Sequence, residues 1–346
     1  MKVIKNIAIS GTHFWNPGDD FIRDGIMNVL KKVFPDDEYH LNFLFYNFGP
    51  ANKPQARNIK SNLLSAGDLD NMKDFLDMII IVGLSGGDEI SDLYTWIDSN
   101  DLMDKVYIIG GGYENNYINY FLNNDKITLE IFKKAKLITG RTSKYPEILN
   151  KLNIPYHHIY CPAFISNIKE IKKSNKKNIA FSIQLPPDTE FSIQSTGYDS
   201  VKLALDCFGE LYNNGNYNIK IICHYKSEYF YFFNMLKDLG INNVPVEFSS
   251  FVADTKRSYE NIGMVISTRL HSCIFGNSMG ANSILINDTP RHIETLKDIE
   301  FTKIVNSIKD FKIQFKLLSE LDQTEKLTKF KKDLLNKYAE VLKGVL

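Results

Sequence analysis

The sequence predicts an α/β protein made of two doubly wound domains, each a parallel sheet between layers of helices. Short apolar runs bounded by Gly, Ser or Asn alternate with stretches of helical period from one end of the chain to the other, as in repeated βαβ units. The chain has 346 residues, more than one hydrophobic core usually serves. We therefore expect two Rossmann-like domains that face each other across a cleft.

The first domain is predicted over residues 1–168. Between its first two strands, Ile22, Ile26, Val29 and Val33 recur at helical spacing, which predicts a helix with one buried face. Its strands are expected at 6–10, 41–46, 78–82, 106–109 and 137–139.

A polar, basic stretch at 169–178 has no apolar period and is predicted to link the domains. The second domain follows over 179–312. A helical segment at 313–346 ends in a helix with one apolar face and lysines opposite; we expect it to pack on the body, although a membrane-surface helix has the same pattern. The strands of the second domain are expected at 179–183, 219–223, 246–249, 264–267 and 283–286.

The composition narrows the classes of partner and compartment. The 41 basic and 41 acidic residues cancel, which argues against nucleic acid held by a general basic surface. No apolar run reaches the ~18 residues of a membrane span, and no signal peptide is recognisable. Four scattered cysteines without a CxxC pair predict reduced thiols and no metal site. We expect a soluble, cytoplasmic protein, and its oligomeric state is left open.

Ligands of α/β sheets bind at the carboxyl ends of strands, so the loop after the first strand is a candidate site. Gly18 permits a tight turn and Asp19 can cap the next helix, while His13 and Asn16 are expected to face the cleft. The alternative is a plain turn with a helix cap. The loop lacks both GxGxxG and GxxxxGK[ST], so no standard dinucleotide fingerprint or P-loop is present.

Three more candidates follow later strands. The pairs Gly86-Gly87 and Gly111-Gly112 let a ligand or a neighbouring backbone approach closely; the same glycines also serve strand–helix packing, so each pair alone is a weak signal. His224 ends another strand run, where a ligand role and an ordinary loop histidine are equally compatible with the pattern.

The strongest local motif is Ser-Thr-Arg-Leu-His-Ser at 267–272, between an apolar strand run and a helical stripe. Helix-start amides, the Arg269 guanidinium and the His271 imidazole would meet there, which makes an anion site with an acid or base beside it. The alternative is a buried histidine that caps a turn, with the arginine in a structural salt bridge.

Taken together, Asn16-Pro17-Gly18-Asp19, the glycine pairs and the 267–272 motif with Gly280 resemble the polysaccharide pyruvyl transferase family over roughly residues 5–290. The resemblance implies a GT-B-like fold. The chain departs from the family at two places: Thr142 follows Arg141 where Arg-Asp-x-x-Ser is common, and Cys161 stands where Asp-Pro-Ala is frequent.

The resemblance implies transfer of the pyruvyl unit of phosphoenolpyruvate, a co-substrate, onto two hydroxyls of a sugar, with no cofactor and no metal. It assigns Arg269 and Arg141 to the donor anions, because arginine binds carboxylate and phosphate in a bidentate manner. His271 becomes the general acid or base, and His13 is a second candidate. The rest of the donor site would be Ser267, Thr268, Leu270 and Ser272.

Two other functions fit the same pattern. A GT-B-type glycosyltransferase would place a nucleotide sugar at the Arg269 segment, and an inactive binding homologue would explain the missing Asp at position 142. The acceptor can be a free sugar or a lipid-linked oligosaccharide. In the latter case the protein would associate peripherally with the inner face of the membrane.

Overall fold

The computed structural model describes residues 2–11, 17–47, 63–64, 70–82, 88–112, 122–142, 147–171, 174–185, 198–286 and 290–346. The chain divides into two compact units. The first comprises Met1–Ser166 with Lys332–Leu346, and the second comprises Asn167–Lys331. Within the described ranges, no helix is both long and apolar enough to cross a membrane.

The first unit is built on a parallel sheet in the order β3-β2-β1-β4-β5-β6-β7. The β4 strand is buried along its whole length, as expected for a strand covered on both faces. The strands are β1 (Val3–Gly11), β2 (Tyr39–Asn47), β3 (Leu63–Leu64), β4 (Met78–Val82), β5 (Val106–Gly111), β6 (Leu137–Gly140) and β7 (His157–His158).

Helices of the first unit pack closely on this sheet and its connections. Pro17 begins the first of them, at a position where its fixed φ and missing N–H suit a helix start. A Cβ added at Gly25 would lie 1.9 Å from the carbonyl oxygen of Pro162, so only glycine lets this helix lie on the turn Pro162–Ile165. The described helices are α1 (Pro17–Val33), α2 (Asp88–Ser99), α3 (Lys126–Lys134) and α4 (Glu147–Lys151).

The second unit repeats the pattern with a parallel sheet in the order β10-β9-β8-β11-β12-β13. Its strands are β8 (Asn175–Ser182), β9 (Asn218–Cys223), β10 (Val246–Phe248), β11 (Ile262–Ser267), β12 (Asn282–Ile286) and β13 (Thr302–Val305). Both strand orders are those of a Rossmann fold, with the first strand central and the direction of progression reversed beside it.

Helices of the second unit pack on its sheet, and Phe181, Phe208, Phe232 and Phe311 contribute buried rings to a hydrophobic core there. The helices are α5 (Tyr198–Asn214), α6 (Lys226–Asp238), α7 (Val252–Ser258), α8 (Leu270–Met279), α9 (Pro290–Leu296), α10 (Ile308–Glu320) and α11 (Thr324–Lys343), the last of which continues into the first unit.

The observed boundaries differ from those expected in two places. The β8 strand begins at Asn175, inside the predicted linker 169–178, because Asn178 pairs with Asn218 and extends the sheet. The predicted terminal segment 313–346 is divided: α10 belongs to the second core, and residues 332–346 belong to the first unit. Tyr338 there donates a hydrogen bond to the carbonyl oxygen of Tyr160 at 2.8 Å.

The four cysteines are buried free thiols. Burial raises the pKa of each, and Cys207 reaches about 12. Since the thiolate is the reactive form, these side chains are inert core residues at neutral pH.

Lys331 is a buried cation in α11. Its Nζ donates to the carbonyl oxygens of Ser278, at 2.8 Å, and Lys169, at 3.3 Å. Ser278 lies in the last turn of α8, where the helix dipole favours a positive charge. Desolvation nevertheless lowers the pKa of Lys331 from 10.5 to about 8, so the folded protein binds this proton less tightly than the unfolded chain.

This pKa shift predicts a pH dependence of stability. Between about pH 8 and pH 10.5, Lys331 keeps its proton in the unfolded chain and has lost it in the folded protein. A rise in pH across this window therefore favours the folded state. We expect the free energy of unfolding of the wild type to rise by up to ~3 kcal/mol relative to that of Lys331→Met. Urea unfolding of both proteins at several pH values measures the difference; parallel pH curves would contradict the prediction.

Candidate functional site

The 267–271 segment lies at the topological switch point of the second sheet. The strand order reverses between β8 and β11, whose carboxyl ends pair at Ser182 and Ser267. Ligands of open α/β sheets bind in the crevice outside such a point. The neighbouring strand β9 ends at Cys223 and brings His224 to the same edge. The motif therefore stands where this fold places its ligands.

Helix α8 is held against β11 by a glycine. A Cβ at Gly276 would lie 2.5 Å from the Val265 side chain, so any larger residue would push the helix away from the strand. Arg269 is extended, with φ −107° and ψ 124°, and immediately precedes the first helical residue. The helix start, with its amide groups and the positive end of its dipole, is thereby directed at the switch point.

Arg269 is buried at this point, with 7% of its surface exposed. One terminal nitrogen donates to the carboxylate of Glu228, and the guanidinium carbon lies 4.9 Å from the centre of the Tyr225 ring. The Nε atom is buried and has no hydrogen-bond partner. A buried N–H without a partner is costly, so Arg269 retains a donor that a bound anion can satisfy.

Glu228 is the counter-charge of Arg269 and is itself fixed. Its second carboxylate oxygen accepts from the backbone N–H groups of His224, at 3.0 Å, and Tyr225, at 3.2 Å. Burial disfavours the charged guanidinium, but the negative charge of Glu228 and a hydrogen bond with Tyr225 raise the pKa of Arg269 above its ordinary value. The salt bridge considered as the alternative for this arginine is thus present.

The other polar side chains of the motif bond to the strand ends. Ser267 Oγ donates to the Ser182 carbonyl oxygen at 2.6 Å and accepts from the Arg269 N–H at 2.8 Å. Thr268 Oγ1 accepts from the Gln184 N–H at 2.7 Å. These two hydroxyls, expected to bind the donor, fix the backbone around Arg269.

Ser272 belongs to a buried polar chain. Its Oγ donates to Ser182 Oγ at 3.0 Å and lies 3.2 Å from His224 Nε2, which lies 3.2 Å from the Tyr259 hydroxyl. Burial raises the pKa of Tyr259 to about 12, so this hydroxyl stays protonated. His224, expected in a cleft loop, is only 2% exposed and joins β9 to α8.

His271 differs from its neighbours in the motif. It is the second residue of α8 and is half-buried, whereas Leu270 before it is 3% exposed and packed in the interior. Leu270 therefore serves packing, and His271 is the motif's solvent-accessible titratable side chain beside Arg269.

The first unit contains the other predicted arginine. Arg141 follows β6, is 5% exposed, and its backbone N–H donates to the Gly111 carbonyl oxygen at 2.9 Å. A Cβ at Gly112 would lie 2.5 Å from a terminal nitrogen of Arg141. Gly112, one of the pair predicted to let a ligand or a neighbouring backbone approach, thus leaves room for this guanidinium, and Gly111 is the last residue of β5 rather than part of a loop. Arg141 also contacts Cys161 Sγ at 3.7 Å.

The first βα connection is described from Pro17 onward. Gly18 and Asp19 lie in the first turn of α1, where the helix dipole stabilises a carboxylate. Asp20, in the same first turn and fully buried, accepts from Arg23 at 2.7 Å, an ion pair that the sequence did not indicate. His13, Asn16, Gly86 and Gly87 lie outside the described residues.

Glu228 and Tyr225 are the site residues that sequence reasoning missed. Glu228 lies three positions into α6, where a glutamate can reach back to the amide groups before the helix. The usual signal for this arrangement is Ser or Thr at the cap, and Tyr225 stands there instead. In the part of the chain that the structure describes, no three His, Cys, Asp or Glu side chains group as a metal site requires.

Comparison with known proteins identifies the family. The sequence profile of the polysaccharide pyruvyl transferase family matches residues 16–289, most of the chain, including the 267–272 motif. The chain belongs to the polysaccharide pyruvyl transferase family. The membership implies a transferase whose acceptor is a polysaccharide. No match was found among curated protein sequences.

Solved structures agree on the fold. A UDP-N-acetylglucosamine 2-epimerase from Listeria monocytogenes, itself described as putative, superimposes with a TM-score of 0.61 at 10% identity, over 95% of this chain and 91% of that one. The Neisseria meningitidis epimerase bound to UDP-GlcNAc gives 0.58 at 12% identity, over 97% and 99%. The Rickettsia bellii epimerase gives 0.56 at 11%, over 99% and 96%. These likenesses confirm the predicted fold class, two Rossmann-like domains of the GT-B-like type.

Proposed function

We propose that this pyruvyl transferase family member transfers the pyruvyl group of phosphoenolpyruvate to two hydroxyls of a polysaccharide sugar or its precursor. The observation that carries the proposal is the buried Arg269, whose Nε lacks a partner, at a switch point beside a helix start and the accessible His271. A small trianionic donor suits these cationic and N–H groups.

The chemistry assigns His271 the role of proton carrier. A proton is added to the methylene carbon of phosphoenolpyruvate, positive charge develops at the central carbon, and a sugar hydroxyl attacks there. A second hydroxyl of the same sugar displaces phosphate to close the ketal. The two hydroxyl protons end on the new methyl group and on the released phosphate, so the reaction needs no cofactor and no metal.

Arg269 is proposed as a ligand of the donor anions, and Arg141 is proposed as an anion-binding residue of the first unit. Arg269 shares its charge with Glu228, so its contribution is a directed N–H rather than an unpaired charge. Positioned donors aimed at developing charge contribute more to catalysis than a mobile charge does.

We propose that the protein works in the cytoplasm; a lipid-linked acceptor would place it at the inner face of the membrane.

We expect phosphoenolpyruvate to raise the melting temperature of the wild type, because a ligand that binds the folded state stabilises it in proportion to occupancy. Arg269→Lys should lose most of this shift, because lysine has neither the fork nor the Nε–H of arginine. Thermal-shift titration with phosphoenolpyruvate, uridine diphosphate and guanosine diphosphate measures it.

Stabilisation by a nucleotide alone would overturn the proposal and favour a nucleotide-sugar glycosyltransferase. If phosphoenolpyruvate stabilises the fold, mass spectrometry of surface glycan from cells with and without the protein tests turnover. The wild type should add one pyruvyl ketal, and unchanged glycan would identify an inactive binding homologue.

A further inference from the structure

Helix α6 presents a cluster of aromatic side chains to solvent. Phe230, Tyr231 and Phe233 are 50%, 46% and 47% exposed, while Phe232 and Leu236 on the opposite side fill the core. The Tyr229 ring lies 5.6 Å from the Phe230 ring and 5.9 Å from the Phe233 ring, measured between centres, so Phe230 and Phe233 are joined through Tyr229. Large apolar side chains gathered in one exposed place mark an interaction surface.

Two exposed lysines of α6 flank these rings. Lys226 and Lys237 are both exposed, Glu228 is buried in its salt bridge with Arg269, and Asp238, the last residue of the helix, is its one exposed acidic side chain. Lys226 Nζ lies 5.6 Å from the centre of the Phe230 ring. Aromatic rings flanked by lysines are complementary to a lipid surface with anionic headgroups, where rings enter the interface and ammonium groups contact phosphate.

We propose that this α6 aromatic face, formed by Phe230, Tyr231 and Phe233 with Lys226 and Lys237, docks on the surface of a membrane containing anionic lipids. Three half-exposed rings offer about 100 Å² each, well below the ~800 Å² that each partner contributes to a stable protein interface. A lipid surface has no such minimum, because the headgroup layer adapts to the rings and the lysines add attraction. The inference does not depend on pyruvyl transfer.

The protein should float with vesicles of phosphatidylcholine and phosphatidylglycerol in a density gradient, and less with vesicles of phosphatidylcholine alone. Phe230→Ser/Phe233→Ser should lower the vesicle-bound fraction ~10-fold, because two rings no longer leave water. Lys226→Gln/Lys237→Gln should reduce binding to the anionic vesicles and remove much of its salt sensitivity. Melting temperatures of all variants show that the fold is retained.

The control is a second exposed apolar pair on another helix. Ile313 and Leu317 of α10 are 51% and 52% exposed, and Ile313→Ser/Leu317→Ser should float like the wild type. The proposal is overturned if the wild type does not float with anionic vesicles, if the aromatic variant floats unchanged, or if the α10 pair alone removes binding. Light scattering adds one outcome: a dimer that Phe230→Ser/Phe233→Ser converts to monomer would make a second copy the occupant of this face.

Discussion

His271→Ala should lower pyruvyl transfer by ~10²–10⁴-fold, the usual contribution of a general acid or base, and leave the melting temperature nearly unchanged. The imidazole is half-buried at the second position of α8, so its removal opens no large cavity. Initial rates of phosphate release from phosphoenolpyruvate with a glycan acceptor measure the change. Because His271 is proposed to carry the proton, the pH dependence of the rate seen in the wild type should be lost in the variant.

His40 supplies a matched control. It is an exposed histidine in β2 that pairs with Ile4 near the start of β1, away from the carboxyl ends of the strands. His40→Ala should retain the wild-type rate and pH profile. A loss of only a few-fold in His271→Ala, with the pH profile intact, would remove His271 from the proton transfer and leave Arg269 as an anion-binding residue.

The sequence predicted the fold because its signals were local. Runs such as 78–82 and 106–109 are apolar enough to be recognised as buried parallel strands, and both are found at the predicted positions. The strands that were missed, β3, β7 and β13, are two to four residues long. Strands this short carry little periodicity. The equally short β6 and β10 were predicted, but pairing with a neighbouring strand decides such elements.

The location of the candidate site was also predictable, since a strand, a short polar turn and a helix start place 267–271 at a sheet edge. The partners of its side chains were not. Glu228 precedes Arg269 by 41 residues, and only the strand order, with β9 next to β8 and β8 next to β11, brings the two together. Likewise, Gly112 was predicted to let a ligand or a neighbouring backbone approach, and the guanidinium of Arg141, which follows the next strand, lies in that space.

The second large effect concerns Glu228. We expect Glu228→Gln to lower the free energy of unfolding by about 3–5 kcal/mol, because loss of one partner leaves a buried charge uncompensated. Arg269 stays protonated, since guanidinium does not lose its proton in proteins. Urea unfolding of variant and wild type measures the difference, and donor binding by any folded variant should be weaker because the guanidinium is no longer fixed.

An exposed pair on a nearby helix provides the control. Arg257 contacts Asp254 at the surface, with 69% and 41% of the two side chains exposed, and Arg257→Gln should change stability by no more than ~0.5 kcal/mol. A similarly small effect of Glu228→Gln would contradict the prediction. It would show that water solvates the Arg269 guanidinium when Glu228 no longer compensates its charge.

The double variant Glu228→Gln/Arg269→Met separates structure from function. Replacing both charges with neutral side chains of similar size removes the desolvation cost together with the attraction, and the glutamine oxygen can still accept from the His224 and Tyr225 N–H groups. We expect the double variant to be more stable than Glu228→Gln and to have lost phosphoenolpyruvate binding. If the double variant is stable but does not bind phosphoenolpyruvate, the salt bridge is present because the ligand uses Arg269. If the double variant binds phosphoenolpyruvate as well as the wild type does, the salt bridge is purely structural.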